Sequence, residues 1–375
     1  MTAVGDALLR MVCRGHADIR ATHGKTLEFA VDAEITQRAT CVVGVAAEVR
    51  ELAAPGIAGP VRITISAGER SATARAVANS LWRPGSTAVV RRSSERLLNT
   101  LATDADLAAS TLPRELLDVL REPGAEVDIT VERDLDVAGG LVLFHAREGD
   151  APRLAAEVAC ADHVVVEDQS ARALVDSGRP VVDARKADLG RLGAALEQGE
   201  RVLVVSAISA RSDVVAGLLG GAEVPFEVLG LPPQLAVAAT TSTRSPVVLV
   251  DDTGRRGIVR AVRRHANAAV VFRSASDQLP GILAEAAGER AVTTLVTSER
   301  PRRGASGLPA GIDVFCCVAP AGDAGADTEV DANGLIRALL AQGVSQKTIS
   351  RALIDSAGWS RRQAYEVVLG LSNGE

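Results

Sequence analysis

Nine short apolar segments that alternate with helical stretches constrain the fold of this chain more than any other feature. They are Leu141–Phe144, His163–Val166, Pro180–Val182, Val202–Val205, Phe226–Leu229, Val247–Val250, Ala269–Phe272, Thr293–Val296 and Val314–Val318. Fully apolar strands separated by helices are typical of parallel sheets that are covered on both faces. The sequence therefore predicts an α/β unit in this region.

A different pattern precedes the pair Gly139-Gly140. Short runs rich in β-branched residues alternate with turn residues and predict strands, at Thr26–Val31, Cys41–Val45, Val61–Ile65, Ala88–Val90 and Val127–Val131. Leucines at helical spacing predict one helix after Pro113, and three short helices are predicted after Asp331. We therefore expect a β-rich domain over residues 1–137, the α/β unit over residues 138–320 and a helix-turn-helix-like tail over residues 331–375.

The composition excludes several classes of protein. The net charge is −6 and aromatic residues make up only 2% of the chain, so the chain as a whole does not coat nucleic acid, and its cores are built from aliphatic residues. Five scattered cysteines without a Cys-x-x-Cys pair argue against a disulfide framework and against a zinc knuckle. The sequence shows no signal peptide and no apolar run of about 18 residues, the length of a membrane span. We expect a cytoplasmic protein without a membrane partner.

Three loops of the α/β unit are candidates for a ligand site. They follow the first, fourth and fifth predicted strands, and they contain Gly149-Asp150, Ser206–Asp213 and Gly230–Pro233. Open parallel sheets bind ligands beyond the carboxyl ends of their strands, where small residues let the backbone approach the ligand. None of the loops has a Gly-x-Gly-x-x-Gly motif, so a dinucleotide site is not predicted.

Two histidines, His16 and His23, stand in the densest polar stretch of the N-terminal domain. Imidazoles are common metal ligands and proton carriers. Together with Cys41 or Glu28, the pair could form a metal site or an acid–base pair. Alternatively, both histidines are surface or hydrogen-bonding residues of a β-domain, and no second ligand motif decides between the two interpretations.

One helix of the α/β unit is predicted to carry a stripe of four arginines, Arg256, Arg260, Arg263 and Arg264. Such a stripe is typical of phosphate contacts, for example with RNA, and it also fits a solvated helix face. The tail has a helix-turn-helix pattern between Gly343 and Leu353. Its charge is nearly balanced, which favours a small helical cap over a DNA-binding element.

Two stretches of the N-terminal segment resemble a known family. Residues 12–48, which read VCRGHADIRATHGKTLEFAVDAEITQRATCVVGVAAE, and residues 89–131 are similar to the domain of unknown function 371, known mainly from archaea. The resemblance covers nearly all of the first segment. It implies a β-sandwich-like fold and brings no assigned chemistry.

Residues 140–375 resemble the tetrapyrrole-methylase family and, within it, the ribosomal RNA small subunit methyltransferase I enzymes, which methylate a ribose 2′-hydroxyl. The resemblance is carried by the segments VACADHVVVEDQSARALVDSG, GERVLVVSAISARSDV, PFEVLGLPPQLAVAA and GLIRALLAQGVSQKTISRALIDSAGWSRRQAYEVVL. Glu167 and Asp168 match the family's Glu-Asp pair. The loop after the fourth strand departs from the family's Ser-Asp-Ala-Gly-Thr-Pro pattern, and the loop after the fifth strand departs from Pro-Gly-Pro.

This resemblance implies a two-subdomain α/β fold and an S-adenosylmethionine-dependent methyltransferase. It implies RNA as a partner and a homodimer formed through the α/β unit, because the family commonly dimerises. Glu167 and Asp168 are the implied catalytic residues. The implied cofactor-binding residues are Gly149, Asp150, Ser206, Ala207, Asp213, Gly230 and Pro232.

The altered loops support a second interpretation. In it, the α/β unit has lost catalysis and serves as a scaffold or binding protein for the N-terminal domain. Bulky side chains stand where the family has small residues, at Arg147, Glu148, Ile208 and Arg211. We therefore expect weakened or absent binding of S-adenosylmethionine.

Overall fold

The computed structural model of the chain describes residues 7–53, 56–137, 140–147, 149–175, 180–221, 224–251, 254–296, 300–321, 332–357 and 361–372. The chain divides into two compact units, Met1–Pro320 and Ala321–Glu375. The larger unit contains a barrel and two five-stranded sheets. No helix within the described ranges is long and apolar enough to cross a membrane. The protein is thus a mixed α/β protein with several sheets and a helical tail, as predicted.

The N-terminal part of the larger unit is a closed barrel of eight strands. These are β1 (Ala7–Arg14), β2 (Thr26–Phe29), β3 (Val42–Leu52), β4 (Gly59–Ala67), β5 (Arg70–Ala78), β6 (Ala88–Arg91), β7 (Thr100–Thr103) and β8 (Glu126–Arg133). Their order around the ring is β1-β3-β2-β6-β7-β5-β4-β8. Helix α1 (Arg114–Leu120) follows Pro113 as predicted and buries Leu116 and Leu120 in the barrel core.

The expected sandwich-like fold is wrong. Strand β1 pairs with β3 on one side and with β8 on the other, so the first and last strands close the ring. Alternation along single strands predicts an inward face, but it does not predict how the two ends of a sheet meet. The predicted runs also omitted β1, β5 and β7. In β5, every inward position is an alanine, which has a weak strand propensity.

The first open sheet is fully parallel, as predicted. It consists of β9 (Leu141–His145), β10 (His163–Val166), β11 (Val181–Asp183), β12 (Val202–Ser206) and β13 (Phe226–Leu229). The strand order is β11-β10-β12-β9-β13. The helices that follow these strands are α2 (Ala151–Cys160), α3 (Gln169–Leu174), α4 (Leu189–Glu197), α5 (Asp213–Gly221) and α6 (Pro233–Ala238).

The helices cover the two faces of this sheet in two groups. Leu154 of α2 and Ala171 of α3 pack against one face, whereas α4, α5 and α6 pack against the other, for example through Leu196 and Val215. The chain therefore leaves β9 toward one face and leaves both of its neighbours in the sheet, β12 and β13, toward the opposite face. This reversal is the switch point at which open α/β sheets form a crevice beyond the carboxyl ends of their strands.

The second open sheet is mixed, so the prediction of parallel strands is wrong here. It consists of β14 (Val247–Val250), β15 (Ala269–Ala275), β16 (Val292–Leu295), β17 (Arg302–Arg303) and β18 (Asp313–Val318), in the order β14-β15-β18-β16-β17. Only β14 and β15 pair in parallel; β18 runs antiparallel to both of its neighbours. A parallel return needs a crossover connection, usually a helix, and the described residues between β16 and β18 contain only the short strand β17 and loops. Helices α7 (Arg255–Arg264) and α8 (Leu279–Ala286) cover one face.

The smaller unit contains the three predicted helices, α9 (Ala332–Ala341), α10 (Gln346–Ala357) and α11 (Arg361–Ser372). Ile336, Ile349 and Val368, one from each helix, form its core. The Ser345 hydroxyl accepts a hydrogen bond from the Thr348 amide at 3.2 Å, which caps α10.

A buried cluster of charges joins the barrel to the amino edge of the first sheet. Glu227 on β13 is 6% exposed, and its Oε1 accepts hydrogen bonds from Arg96 of the barrel at 2.8 Å and from Arg300 at 2.7 Å. Arg201, just before β12, lies 3.6 Å from the other oxygen and donates to Glu157 of α2 at 2.7 Å. Burial alone would raise the pKa of Glu227, but the three arginine charges outweigh this effect and hold the pKa far below its usual value.

Two further contacts reinforce this junction. Arg133, the last residue of β8, makes a bidentate ion pair with Asp162 at 3.0 and 2.7 Å. The buried Arg153 of α2 donates through Nε to the Ser80 hydroxyl of the barrel at 3.1 Å. Charge-assisted and bidentate hydrogen bonds fix geometry as well as contributing energy, so the barrel is held against the sheet in one orientation.

We predict that Glu227→Gln lowers the free energy of unfolding by about 3–5 kcal/mol, because it leaves buried arginines without their negative partner. Urea denaturation followed by circular dichroism measures the change. Glu115→Gln is the matched control, since Glu115 pairs with Arg70 at 2.7 Å where both side chains are more than half exposed. The control should lose less than about 1 kcal/mol. Equal losses in the two variants would contradict the assignment.

Candidate functional site

The carboxyl edge of the first sheet is where the switch point at β9 predicts a ligand site. Most of the residues implied by sequence lie on this edge. Asp168 and Glu167 follow β10, Ser206 ends β12, and Gly230 follows β13. Asp213 begins α5, and Pro232 precedes α6. The structure therefore brings these candidates to one edge, and their hydrogen bonds decide what they can do there.

Asp168 holds the loop that follows β12. Its Oδ2 accepts hydrogen bonds from the backbone amides of Ala207 at 3.0 Å and Ile208 at 3.3 Å. Its Oδ1 accepts from the Ala171 amide at 2.8 Å and caps α3. Burial alone would raise the pKa of Asp168, but these amide hydrogen bonds outweigh it and lower the pKa below its usual value. Asp168 thus stays ionised and positions the loop.

Serine hydroxyls close the rest of this loop on itself. Ser206 Oγ donates to the Ser209 carbonyl at 2.6 Å and accepts from the Ser209 amide at 3.2 Å. Ser209 Oγ donates to the Arg211 carbonyl at 2.7 Å and accepts from the Arg211 amide at 3.1 Å. The amides of Ala207, Ile208, Ser209 and Arg211 therefore all donate within the protein.

Arg211 and Asp213 hold a segment that sequence analysis did not single out, residues 242–245. The Arg211 guanidinium donates to the carbonyls of Ser242 at 2.7 Å and Ser245 at 2.6 Å. Asp213 accepts from the Thr243 amide at 2.8 Å and the Thr243 hydroxyl at 2.6 Å. Burial opposes ionisation of Asp213, but these hydrogen bonds lower its pKa. The hydroxyl-rich run Thr240–Ser245 was the available signal for an anchoring segment.

Glu167 differs from the other acids of this edge. Burial raises its pKa, and the charges of Asp213, Asp168 and Asp183 raise it further. The hydrogen bond that its Oε1 accepts from Ser212 Oγ opposes this rise. Ser212 Oγ also accepts from the Val215 amide at 3.1 Å and so caps α5. A half-buried acid with a raised pKa is suited to carry a proton, so Glu167 has the character expected of a general acid or base.

The loops after β9 and β13 touch each other through their backbones. Gly230 has a φ of +78°, and a Cβ there would lie 2.2 Å from the His145 carbonyl oxygen. His145 Nδ1 lies 3.2 Å from the Ser209 carbonyl, which links the loop after β12 to the same place. Asp150 closes the first loop by accepting from the Arg147 amide at 3.1 Å. Glu148 lies outside the described residues.

These residues do not fit the cradle that S-adenosylmethionine needs. Backbone groups must point at the ligand, yet the amides of the loop after β12 donate to Asp168 and to the serines. Gly230 and Gly149 have positive φ angles, and Gly230 packs against protein backbone rather than an open space. The exposed side chains of Arg147 and Ile208 add bulk at the same edge.

The two N-terminal histidines have separate partners. His16 Nδ1 accepts from the Asp18 amide at 3.1 Å, and its Nε2 lies 3.5 Å from Glu34. His23 Nδ1 accepts from the Thr26 amide at 3.1 Å. Within the described residues, no group of three or more His, Cys, Asp or Glu side chains could hold a metal ion. The thiol of Cys41 donates to Glu28 at 3.1 Å, and burial raises its pKa to about 11, so it is a poor nucleophile.

The arginine stripe on α7 is partly paired. Arg263 donates to the Glu285 carbonyl at 2.8 Å, and Arg255 pairs with the Glu285 carboxylate at 3.2 Å. Arg256, Arg260 and Arg264 are exposed and form no ion pair with any described residue. The stripe is therefore tied to α8 at Arg263 and exposed at Arg256, Arg260 and Arg264.

We predict that Gly230→Ala lowers the free energy of unfolding by about 2–5 kcal/mol, because the strain of a positive φ adds to overlap with the His145 carbonyl. Gly149→Ala is the matched control. Gly149 also has a positive φ, +96°, but a Cβ there meets nothing within 4 Å, so only the strain of about 1–2 kcal/mol applies. Thermal denaturation of both variants measures the difference, and a smaller loss for Gly230→Ala would count against the packing described.

We also predict that Glu167 makes stability fall as the pH rises. Because its pKa is raised in the folded state, the folded protein binds this proton more tightly than the unfolded chain does. The free energy of unfolding should therefore decrease as the pH rises from about 4.5, the ordinary value, through the raised pKa. Glu167→Gln should remove this part of the pH dependence, whereas the exposed Glu69→Gln should not. Identical pH profiles for wild type and Glu167→Gln would refute the assignment.

Comparison with known proteins identifies one part of the chain. No curated protein matches the chain. Among solved structures, the cobalamin biosynthesis precorrin-6Y methylase of Archaeoglobus fulgidus is 20% identical, covering 49% of this chain and 98% of that one, with a TM-score of 0.20. Uroporphyrin-III-C-methyltransferase of Thermus thermophilus is 16% identical, covering 49% and 93%, with a TM-score of 0.18. The family described as Domain of unknown function (DUF371) matches residues 11–134, which cover most of the barrel.

Proposed function

We propose that the α/β part of this chain is a methylase-like scaffold that carries the barrel and does not transfer methyl groups. The observation that supports this most directly is the state of the loop after β12. Asp168, Ser206 and Ser209 occupy its backbone amides. A ligand would have to break these hydrogen bonds before it could form its own, and each broken bond without a replacement costs about 1–3 kcal/mol.

The hydrogen bonds that hold residues 242–245 support the same proposal. Arg211 and Asp213 together make hydrogen bonds to Ser242, Thr243 and Ser245. Opening the loop for a ligand would leave both charges without these partners. The loop is thus built as a strut between α5 and the segment that leads into β14.

The amino edge of the same sheet supports the carrier role. The barrel meets this edge through Arg96 on Glu227, Arg133 on Asp162 and Ser80 on Arg153. Buried charges that are paired across the junction make separation costly. The sheet therefore presents the barrel in a fixed orientation, which is what a carrier or assembly protein requires.

A methyltransferase is the second candidate, and one cavity favours it. A space of about 320 Å³ lies beside α6. It is lined by Gln234, the second residue after Pro232, and by Leu249, Val250, Asp251, Phe272 and Arg273 among others. Apolar walls with a few polar groups are typical of small-molecule sites. In this candidate, Glu167 would carry the proton, the exposed Arg256, Arg260 and Arg264 would contact RNA phosphates, and the α/β unit would dimerise.

A titration calorimetry experiment separates the two candidates. With S-adenosylmethionine and its demethylated product in the millimolar range, the scaffold proposal expects no binding heat. A micromolar dissociation constant that is weakened about tenfold by Gln234→Ala, but not by Gln278→Ala, would overturn the proposal and establish the methyltransferase. Gln278 is an exposed residue before α8 that does not line the cavity, so it controls for loss of an amide group.

A further inference from the structure

A second cavity of the molecule lies not at the carboxyl edge but at the opposite end of the first sheet. A cavity of about 540 Å³ lies where the barrel, the amino ends of β9 and β13 and the segment Arg300–Arg302 meet. Its size falls within the range of about 300–1,000 Å³ that small-molecule sites occupy. Three aspartates, four arginines and Glu227 share its wall with apolar side chains.

The acidic wall has an unmet demand for hydrogen-bond donors. Asp134 lines the cavity and is 5% exposed. Its Oδ2 accepts no hydrogen bond from the described chain, and the nearest cation, Arg75 Nε, is 3.5 Å away. Asp104 and Asp106 also line the cavity, where Asp104 accepts from Arg300 at 2.8 Å and Asp106 accepts from the Arg75 amide at 2.9 Å. A buried carboxylate oxygen without a donor is costly, so a donor group entering the cavity would be stabilised there.

The basic side of the cavity has the opposite demand. Arg201 is 5% exposed, and its Nε donates to nothing in the described chain, although its Nη2 is bound to Glu157. The guanidinium of Arg302 forms no hydrogen bond or ion pair with any described residue. Both residues line the cavity. An acceptor group, and an anionic one above all, would satisfy these donors.

The lining of the cavity also includes apolar surface. Val77 of the barrel and Phe226 of β13 contribute it, together with Pro225 and Pro301. A ligand that fills the cavity must therefore combine three properties. It needs a hydrogen-bond donor or cation, an acceptor or anion, and hydrocarbon.

We propose that this junction cavity binds a zwitterionic small molecule of the amino-acid or dipeptide class. Its ammonium group binds the aspartate wall at Asp134. Its carboxylate binds Arg302, and its hydrocarbon side chains pack against Val77 and Phe226. The site is independent of the carboxyl edge, so it would exist whether or not the chain transfers methyl groups.

A bound water is the rival occupant of the unsatisfied atoms. Asp134 and Arg201 also line a separate void of about 20 Å³, which is enough space for one water. A single water there could donate to Asp134 and accept from Arg201. Such a water would leave Arg302 without any role in binding, so a variant at Arg302 distinguishes the two occupants.

Titration of the full-length protein with leucyl-leucine tests the proposal. We expect measurable binding. Blocking either end of the probe, as N-acetyl-leucyl-leucine or leucyl-leucinamide, should weaken it by about tenfold or more, because one charge-assisted contact is lost. Asp134→Asn and Arg302→Gln should do the same, each acting on its own end of the probe. Arg303→Gln is the matched control, since Arg303 is the next residue of β17 and does not line this cavity.

The outcomes are distinct. If Asp134→Asn unfolds the protein, the exposed Arg302→Gln still tests the site, with thermal denaturation as the check on folding. No binding of leucyl-leucine by the wild type overturns the proposal and leaves water as the occupant. Binding that Arg302→Gln does not weaken, or that both blocked probes retain, overturns it as well.

Discussion

A single carboxylate with little access to water determines how the larger unit is assembled. Glu227 stays ionised in the interior because guanidinium groups arrive from three places, with Arg96 from the barrel, Arg201 from the first sheet and Arg300 from the segment before β17. An isolated charge in this position would be far too costly. Each part therefore depends on the others, and none can move away without leaving a charge unpaired.

The two edges of the first sheet differ in how far their polar groups are satisfied. At its amino edge, charges meet around a cavity and retain unused hydrogen-bonding capacity at Asp134 and Arg201. At its carboxyl edge, where parallel sheets usually bind their ligands, the polar groups of the loop after β12 form their hydrogen bonds within the protein. Two residues of this edge hold backbone in place. Gly230 accommodates the His145 carbonyl, and Asp168 gathers the loop amides.

Sequence patterns predicted the elements well where the physics is local. All nine apolar runs of the α/β region became strands, because a short apolar run bounded by turn residues favours a strand. The direction of β18 could not be predicted, because it depends on how the chain returns from β16 rather than on its own residues. Barrel closure depends on β1 meeting β8, a contact between distant segments that neither strand encodes alone.

The same limit applies to the candidate site, where the sequence predicted positions but not partners. The positions of Glu167, Asp168 and Gly230 followed from their place after predicted strands. Their partners did not, because Arg211 reaches residues 242–245 and His145 reaches Ser209 only once the loops have folded. The cavity between barrel and sheet was missed altogether, since Asp134 and Arg302 look like ordinary surface charges in the sequence and become neighbours of one space only through tertiary packing.

Closure of the barrel by β1 and β8 sets an order of events during synthesis. Every strand of the ring ends by Arg133, before the first residue of β9 has been made, and domains that are complete in this way generally fold as units while the chain is still emerging. The newly closed barrel then carries Arg96 and Asp104 without Glu227 and Arg300, their later partners. For that interval Arg96 and Asp104 face water as ordinary solvated ions. A nascent barrel of this kind therefore presents charged, hydrated side chains at the junction until the rest of the chain has been made.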